Sequence, residues 1–340
     1  MPAGGRKSGG DRVVPIARGR RGRDGAGSGR GGGRLPAGEA LAQAAREFTT
    51  LRDFLRLAVT LFQREQLHFG HGTDSAWDEA AYLCLHALSL PLDRLEPFLD
   101  AQLLASERDA LATLLSRRIA ERVPAAYLTG EAWLGDLRFR VDQRVIVPRS
   151  YLAEVLREDV SPLGIDEARV ARVLDLCTGS GCLAIVAALR FTQAQVDAVE
   201  LSADALAVAK LNVADYGLAE RVTLHQGDLW SPVGIRRYDL IISNPPYVDD
   251  PLMAALPAEY RHEPVAALAG GRDGLDLVRR IMDRAARHLT PHGVLLMEVG
   301  HSRDALEAAW PRVPFTWIET SAEVSSVCAL ARADLPGAAK

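Results

Sequence analysis

Two hydrophobic periods divide the chain. Between residues 38 and 123, apolar side chains recur at three- and four-residue spacing, with Leu51, Phe54, Leu55, Ala58, Leu61 and Phe62 on one face. That spacing predicts amphipathic helices. A polar, glycine-containing loop follows, His68-Phe-Gly-His-Gly-Thr-Asp74. Asp74 or Ser75 then caps a helix through Trp77, Ala80, Ala81, Leu83 and Cys84. Further helices are expected over residues 95–105 and 106–121, the second capped by Ser106. Pro124 opens a linker. Residues 133–140 and 144–147 are expected to form a β-hairpin that turns at Val141-Asp142-Gln143, and Val147-Pro-Arg-Ser150 closes the connector.

Beyond residue 151 the pattern changes to short apolar runs that alternate with helical segments. Strands are predicted at 170–176, 196–200, 222–226, 238–243 and 294–299, with helices at 183–190, 203–216 and 275–289 between them. Residues 315–319 and 326–330 read as a terminal antiparallel pair. Such alternation implies an α/β, Rossmann-like fold with a mainly parallel sheet covered on both faces. The expected organisation is an arm over residues 1–37, a helical recognition domain over 38–123, a linker and hairpin over 124–150, and the α/β domain over 151–340.

The strand at 238–243 ends abruptly at Asn244-Pro245-Pro246-Tyr247. In open α/β sheets, ligands bind just beyond the carboxyl ends of the strands, where this tetrapeptide falls. Neither proline has an N–H, so the turn presents acceptors: the Asn244 side-chain oxygen and the Pro245 carbonyl. Two rigid acceptors beside the Tyr247 ring suit a planar NH2 group.

A second motif, Asp175-Leu-Cys-Thr-Gly-Ser-Gly181, joins a strand to a helix. Gly179 allows a tight turn, Gly181 lets a ligand approach the backbone and the helix pack close, and the helix N-terminus attracts an anionic group. Glu200 ends the next strand, where a carboxylate can accept from both hydroxyls of a ribose. Gly179-Ser-Gly181-Cys-Leu-Ala184 also satisfies the dinucleotide fingerprint. Asp175 opposes a pyrophosphate but suits an ammonium group, and Asn-Pro-Pro-Tyr has no role in hydride transfer, so S-adenosylmethionine is the better fit. Asp228, in Gly227-Asp228-Leu229, is either a holder of the adenine amino group or a plain turn residue.

Composition narrows the classes further. The 340 residues are 48% hydrophobic and 25% charged, a globular balance, and no window is apolar enough to span a bilayer. Cys84, Cys177, Cys182 and Cys328 are scattered without a CxxC, which reads as free thiols of a cytoplasmic protein. His68 and His71 have no third ligand nearby, so no metal is expected. Residues 1–34 hold nine Lys/Arg and two Asp, a charge of +7, so the remainder carries -4 - 7 = -11. This Gly/Arg-rich arm cannot build a core and reads as disordered. It is either an electrostatic arm for RNA or a dispensable leader.

The pairing of Asp-Leu-Cys-Thr-Gly-Ser-Gly with Ser-Asn-Pro-Pro-Tyr resembles the HemK-type protein-glutamine methyltransferases. Phe69-Gly-His-Gly-Thr-Asp74, Trp77-Asp-Glu79 and Val147-Pro-Arg-Ser150 resemble the branch acting on large ribosomal subunit protein 3. The release-factor branch typically reads Pro-Arg-Pro-Asp-Thr-Glu where this chain has Pro148-Arg-Ser-Tyr-Leu-Ala-Glu154. The resemblance implies a class I S-adenosylmethionine-dependent methyltransferase domain and methyl transfer to a glutamine amide of that ribosomal protein. Asn244, Pro245 and Tyr247 are then catalytic, and Pro246 and Arg149 join them in holding the substrate. Asp175, Cys177, Thr178, Gly179, Ser180, Gly181, Glu200, Asp228, Leu229 and Asn244 are expected to hold the cofactor. The alternatives are release-factor glutamine methylation, adenine N6 methylation of nucleic acid, and a non-enzymatic ribosome-assembly factor that binds RNA through the arm.

Overall fold

A computed structural model of the protein describes residues 35–322 and 325–338; the predicted arm over 1–34 lies outside them. The described chain opens with helices α1 (Ala37–Glu47), α2 (Leu51–Arg64), α3 (Ala76–Ala87) and α4 (Ala105–Ala120). Helix α2 buries the stripe that its periodicity announces, and the Thr50 side chain caps it by accepting from the Asp53 N–H. Ser75 caps α3 in the same way, through Asp78 N. Two expectations here need correction. Residues 95–105 form only a 3-10 turn, Glu96–Phe98, because the chain then runs extended beside residues 49 and 50, where Leu103 N donates to Thr49 O at 2.9 Å. Helix α4 is also not capped by Ser106. Its first unsatisfied donor, Leu104 N, is met by the Glu107 carboxylate at 2.8 Å.

The connector contains α5 (Ala125–Thr129), β1 (Glu131–Leu134) and β2 (Leu137–Arg140). The strands are antiparallel with Leu134 opposite Leu137, so the hairpin turns at Gly135-Asp136 and not at residues 141–143. Gly135, at φ 62°, provides the two-residue turn that matches strand twist. Asp142 instead makes a local turn, accepting from Arg144 N at 3.0 Å. Residues 145–150 then lead into α6 (Leu152–Val155).

The remaining elements are β3 (Arg172–Leu176), α7 (Cys182–Arg190), β4 (Gln195–Glu200), α8 (Ala203–Asp215), β5 (Val222–Gln226), β6 (Tyr238–Ser243), α9 (Asp250–Ala255), α10 (Asp276–His288), β7 (Leu289–Glu298), α11 (Arg303–Ala309), β8 (Thr316–Ile318) and β9 (Val327–Ala331). The sheet order is β5-β4-β3-β6-β7-β9-β8. The first five strands are parallel; β9 is antiparallel to β8, as the sequence predicts, and also to β7. One face of the sheet packs Val173, Ala184, Leu240 and Ile242; the other packs Leu174, Ile241, Ile281 and Met282. Strand β7 starts five residues earlier than expected, and its register with β6 slips between Tyr238 and Leu240. Glycine permits that slip, since a Cβ at Gly293 would lie 2.8 Å from the Tyr238 carbonyl oxygen. The order reverses between β3 and β6, which opens a crevice at their carboxyl ends. Among the described residues no helix is long and apolar enough to cross a membrane.

A buried ion network joins the amino-terminal helices to the chain after β6. Arg118 of α4 donates to Glu79 of α3 at 2.6 Å and to the His68 carbonyl at 2.9 Å. Glu259 accepts from His68 N at 3.0 Å and from Arg118 at 3.4 Å. Burying so many charges is tolerated because each is paired and hydrogen-bonded.

Candidate active site

The reversal point of the sheet carries the Asn-Pro-Pro-Tyr turn. Ser243 donates to the Leu176 carbonyl at 2.9 Å, fastening the end of β6 to the end of β3 beneath the turn. Pro245 and Pro246 are buried, whereas Asn244 and Tyr247 are half-buried. Among the described residues nothing hydrogen-bonds to the Asn244 side chain or the Pro245 carbonyl. Tyr247 is held from both sides. Its carbonyl accepts from Ser302 at 3.2 Å, His301 meets its ring edge-on at 6.2 Å, and a Cβ at Gly300 would collide with the ring. Burial, and then the nearby Glu298, hold the Tyr247 hydroxyl well above its ordinary range, so it stays neutral.

Across the crevice lies the loop between β3 and α7. Asp175 is fully buried; Thr178 donates to its Oδ2, while Oδ1 has no partner within hydrogen-bond geometry among the described residues. Burial pushes this carboxyl up to about 7 despite the Thr178 bond. An orphaned, buried carboxylate oxygen asks for a donor, and a cationic one best of all. Glu200 accepts from Gly179 N and Ser202 N, each at 2.9 Å, one bond per oxygen, which leaves further acceptor capacity.

Gly181 serves the close helix packing expected of it, whereas the open approach lies at Gly179. Both are left-handed, at φ 56° for Gly179 and 81° for Gly181. A Cβ at Gly181 would press within 3.2 Å of Ala209, so that glycine serves the packing of α7 on α8. At Gly179 only Ile146, 3.9 Å away, is near, which leaves the loop open for a ligand. Cys177 and Leu229 are also left-handed, at φ 63° and 47°, strained backbone of the kind that gathers at ligand sites. Ser180 is buried and its carbonyl accepts from Asn212 at 2.9 Å. Asp228 is half exposed and ion-paired with Arg280 at 2.6 Å.

Arg149 occupies a different place from the one foreseen. Its two terminal nitrogens donate to the two oxygens of Glu263 at 2.6 and 2.7 Å, and its guanidinium lies over Tyr260 at 5.4 Å. Burial alone would push Glu263 up, but Arg149 outweighs it and holds the carboxyl down at about 2. Arg149 is therefore held from within, both terminal nitrogens engaged by Glu263. The loop with His68 and His71 is likewise internal: His71 is 3% exposed, 4.4 Å from the Tyr260 ring and 3.6 Å from Glu263. Among the described residues no group of three or more His, Cys, Asp or Glu could hold a metal ion. All four cysteines are free.

Three contributors are absent from the reading of the sequence. Ile146 is the neighbour that a Cβ at Gly179 would meet, at 3.9 Å, and it packs in the cluster around Tyr247. Glu263 anchors Arg149. Glu298, at the end of β7, is 2% exposed and accepts from Ser150 at 2.6 Å; burial pushes it up to about 7. The one available signal was for Glu298, a carboxylate that ends the apolar run Val294-Leu-Leu-Met-Glu298.

The methyltransferase small domain model matches residues 156–255. A ribosomal protein uL3 glutamine methyltransferase of Bordetella pertussis is 55% identical, over 85% of this chain and 97% of its own. One from Neisseria meningitidis serogroup A is 54% identical, covering 87% and 97%. A more distant one from Bradyrhizobium diazoefficiens is 49% identical, covering 87% and 95%.

Proposed function

The chain belongs to the family of ribosomal protein uL3 glutamine methyltransferases, and from that premise we propose how its residues divide the reaction. The enzyme transfers a methyl group from S-adenosylmethionine to the side-chain amide nitrogen of a glutamine in uL3. The chain fits this cofactor. The unpartnered Asp175 Oδ1 suits the ammonium group, Glu200 the ribose hydroxyls, and the open side of Gly179 the body of the molecule. Cys177, Thr178, Ser180 and Leu229 shape the walls. Asp228, already paired with Arg280, is assigned to the rim.

Bound S-adenosylmethionine supplies an electrophilic methyl group on a positively charged sulfur. The glutamine amide is a weak nucleophile, because its nitrogen lone pair is delocalised into the carbonyl. Asn244 and the Pro245 carbonyl accept from the two N–H bonds of the NH2. That fixes its plane and enriches the nitrogen in electron density as the N–C bond forms and the C–S bond breaks. Tyr247 covers the amide face and excludes water, while Pro246 stiffens the turn. The proton leaves the nitrogen only after the forming N–C bond has made the N–H strongly acidic, so it passes to solvent and no strong base is required. Orientation and electrostatic fit carry the rate, worth roughly 7–11 kcal/mol when geometry is well held.

The observation that carries this reading is Asn244, a turn residue beside the cofactor loop whose side chain has no hydrogen-bond partner among the described residues. Residues 38–123 are assigned to substrate recognition, residues 1–34 to an RNA contact that lies outside the described residues, and the enzyme to the cytoplasm. The deciding assay offers labelled cofactor to uL3, release factor, RNA and DNA side by side. Label on a uL3 glutamine, located by mass spectrometry, is expected; faster transfer to release factor would overturn the substrate.

A further inference from the structure

Where the strands begin, at the end of the sheet away from the crevice, the surface turns basic. Arg236 and Arg237 lead into β6, and His288 Nδ1 lies 3.1 Å from the Arg236 carbonyl oxygen, so the carboxyl end of α10 abuts that loop. Helix α10 buries Val278, Ile281, Met282 and Ala285 and leaves Arg280, Arg284 and Arg287 exposed in one stripe. Arg172 opens β3, exposed, with its N–H donating to Asp239 at 3.0 Å.

Ion pairing separates these arginines into two groups. Arg236 is paired with Asp197 and Arg280 with Asp228. Arg172, Arg237, Arg284 and Arg287 have no carboxylate partner among the described residues. Acids on the elements packed here include Asp283, exposed on α10; Asp239, which accepts from Ala171 N, Arg172 N and Thr290; Asp197, paired with Arg236; and Asp334, on the 3-10 turn Arg332–Asp334 whose Arg332 donates to the Ala286 carbonyl of α10. His288 registers the uncompensated field. Burial lowers its proton affinity first, the Arg236 carbonyl opposes that, and Arg284 and Arg287 lower it further. Cations in the last turn of a helix complement its dipole, which accounts for Arg284 and Arg287 singly. It does not account for Arg237 and Arg172, which lie in a loop and a strand and join the same face. The chain beyond residue 34 carries -11, so this concentration of unpaired arginine runs against the charge of the body.

We propose that this face, Arg172, Arg237, Arg284 and Arg287, binds the phosphate backbone of folded RNA, docking the enzyme on a ribonucleoprotein with its crevice at the opposite end of the sheet. The inference rests on uL3 being the substrate, because a ribosomal protein in its assembled state has RNA as a neighbour. Guanidinium groups recognise phosphate bidentately, and such contacts position a protein without reading sequence.

The test compares full-length chains, so residues 1–34 contribute equally to each. Anisotropy of a fluorescein-labelled RNA duplex of roughly 16 base pairs is followed across salt concentrations. The combined variant Arg237→Ala, Arg284→Ala, Arg287→Ala is expected to bind at least about tenfold more weakly, with a salt slope shallower by about 2–3. The matching Arg→Lys variant should keep most of the slope, and both should methylate isolated uL3 at the parental rate. Unchanged RNA affinity and slope in the alanine variant would overturn the proposal. So would a variant that loses binding to phosphatidylglycerol vesicles and not to RNA. A parent enzyme that holds the duplex through these arginines yet methylates no uL3 would keep the RNA site and overturn the substrate instead.

Discussion

Ser150 and Glu298 lie 148 residues apart in the chain and 2.6 Å apart in the fold, hydroxyl to carboxylate, both buried. Their bond fastens the connector to the end of β7, beside the Asn-Pro-Pro-Tyr turn. Proline at 150, typical of the release-factor branch, could not donate it. Ser150 also turns back to accept from Leu152 N at 3.2 Å. Ser150→Ala is expected to destabilise the protein by about 1–3 kcal/mol, as buried groups do when a partner is lost. The loss should depend on pH. Glu298, raised to about 7, holds its proton in the folded state at pH 6 and releases it by pH 8. The hydroxyl supports the ionised form, so the urea-unfolding deficit should be larger at about pH 8 than at about pH 6. Equal deficits would mean that Glu298 does not titrate in this range.

Asn244→Ala should lower methyl transfer at least about a hundredfold, the scale for losing one preorganised polar contact at a reacting group. Cofactor affinity by calorimetry should stay within about tenfold, ~1.4 kcal/mol. Loss of cofactor binding would reassign Asn244 to the cofactor.

Asp175 is expected to make cofactor binding sensitive to pH. Its carboxyl is raised to about 7 by burial, and an ammonium group requires the ionised form. Below that pH, binding must first expel a proton. Affinity should therefore fall by roughly tenfold between about pH 8 and about pH 6. Asp175→Asn should bind weakly and show a flat profile. Without cofactor the same shift acts oppositely on stability. The folded chain keeps a proton that an unfolded carboxylate releases from about pH 4, so this contribution fades as pH rises towards 7. A cofactor affinity independent of pH in the parent would dissociate Asp175 from the ammonium group.

Arg149→Ala strands Glu263 as an unpaired buried carboxylate, for which breaking a buried pair predicts a cost of about 3–5 kcal/mol. Thermal unfolding should move down by several degrees. Arg149→Ala with Glu263→Gln should recover part of the loss, since the uncompensated charge is gone. A variant with parental stability and a raised KM for uL3 would instead restore Arg149 to the substrate.

Much of this protein is legible from local pattern. The strand at Tyr238–Ser243, the terminal antiparallel pair, the Gly loop and the Asn-Pro-Pro-Tyr turn follow from apolar periodicity and from what proline and glycine permit, which are properties of neighbouring residues. Elements with weak local preference behaved otherwise. Residues 95–105 gave up a helix to pair with residues 49 and 50, and the hairpin turned where Gly135 allowed it.

Charge placement was beyond the sequence. Arg149 reads as a surface arginine and His71 as a loop histidine until folding brings Glu263, more than a hundred positions away, into contact with both. The same holds for Ser150 with Glu298, and for the arginines of α10, β3 and the loop before β6. Local sequence sets backbone preference. Burial and long-range pairing set ionisation and exposure, and those arise only when distant segments share a low-dielectric interior or one face of the surface.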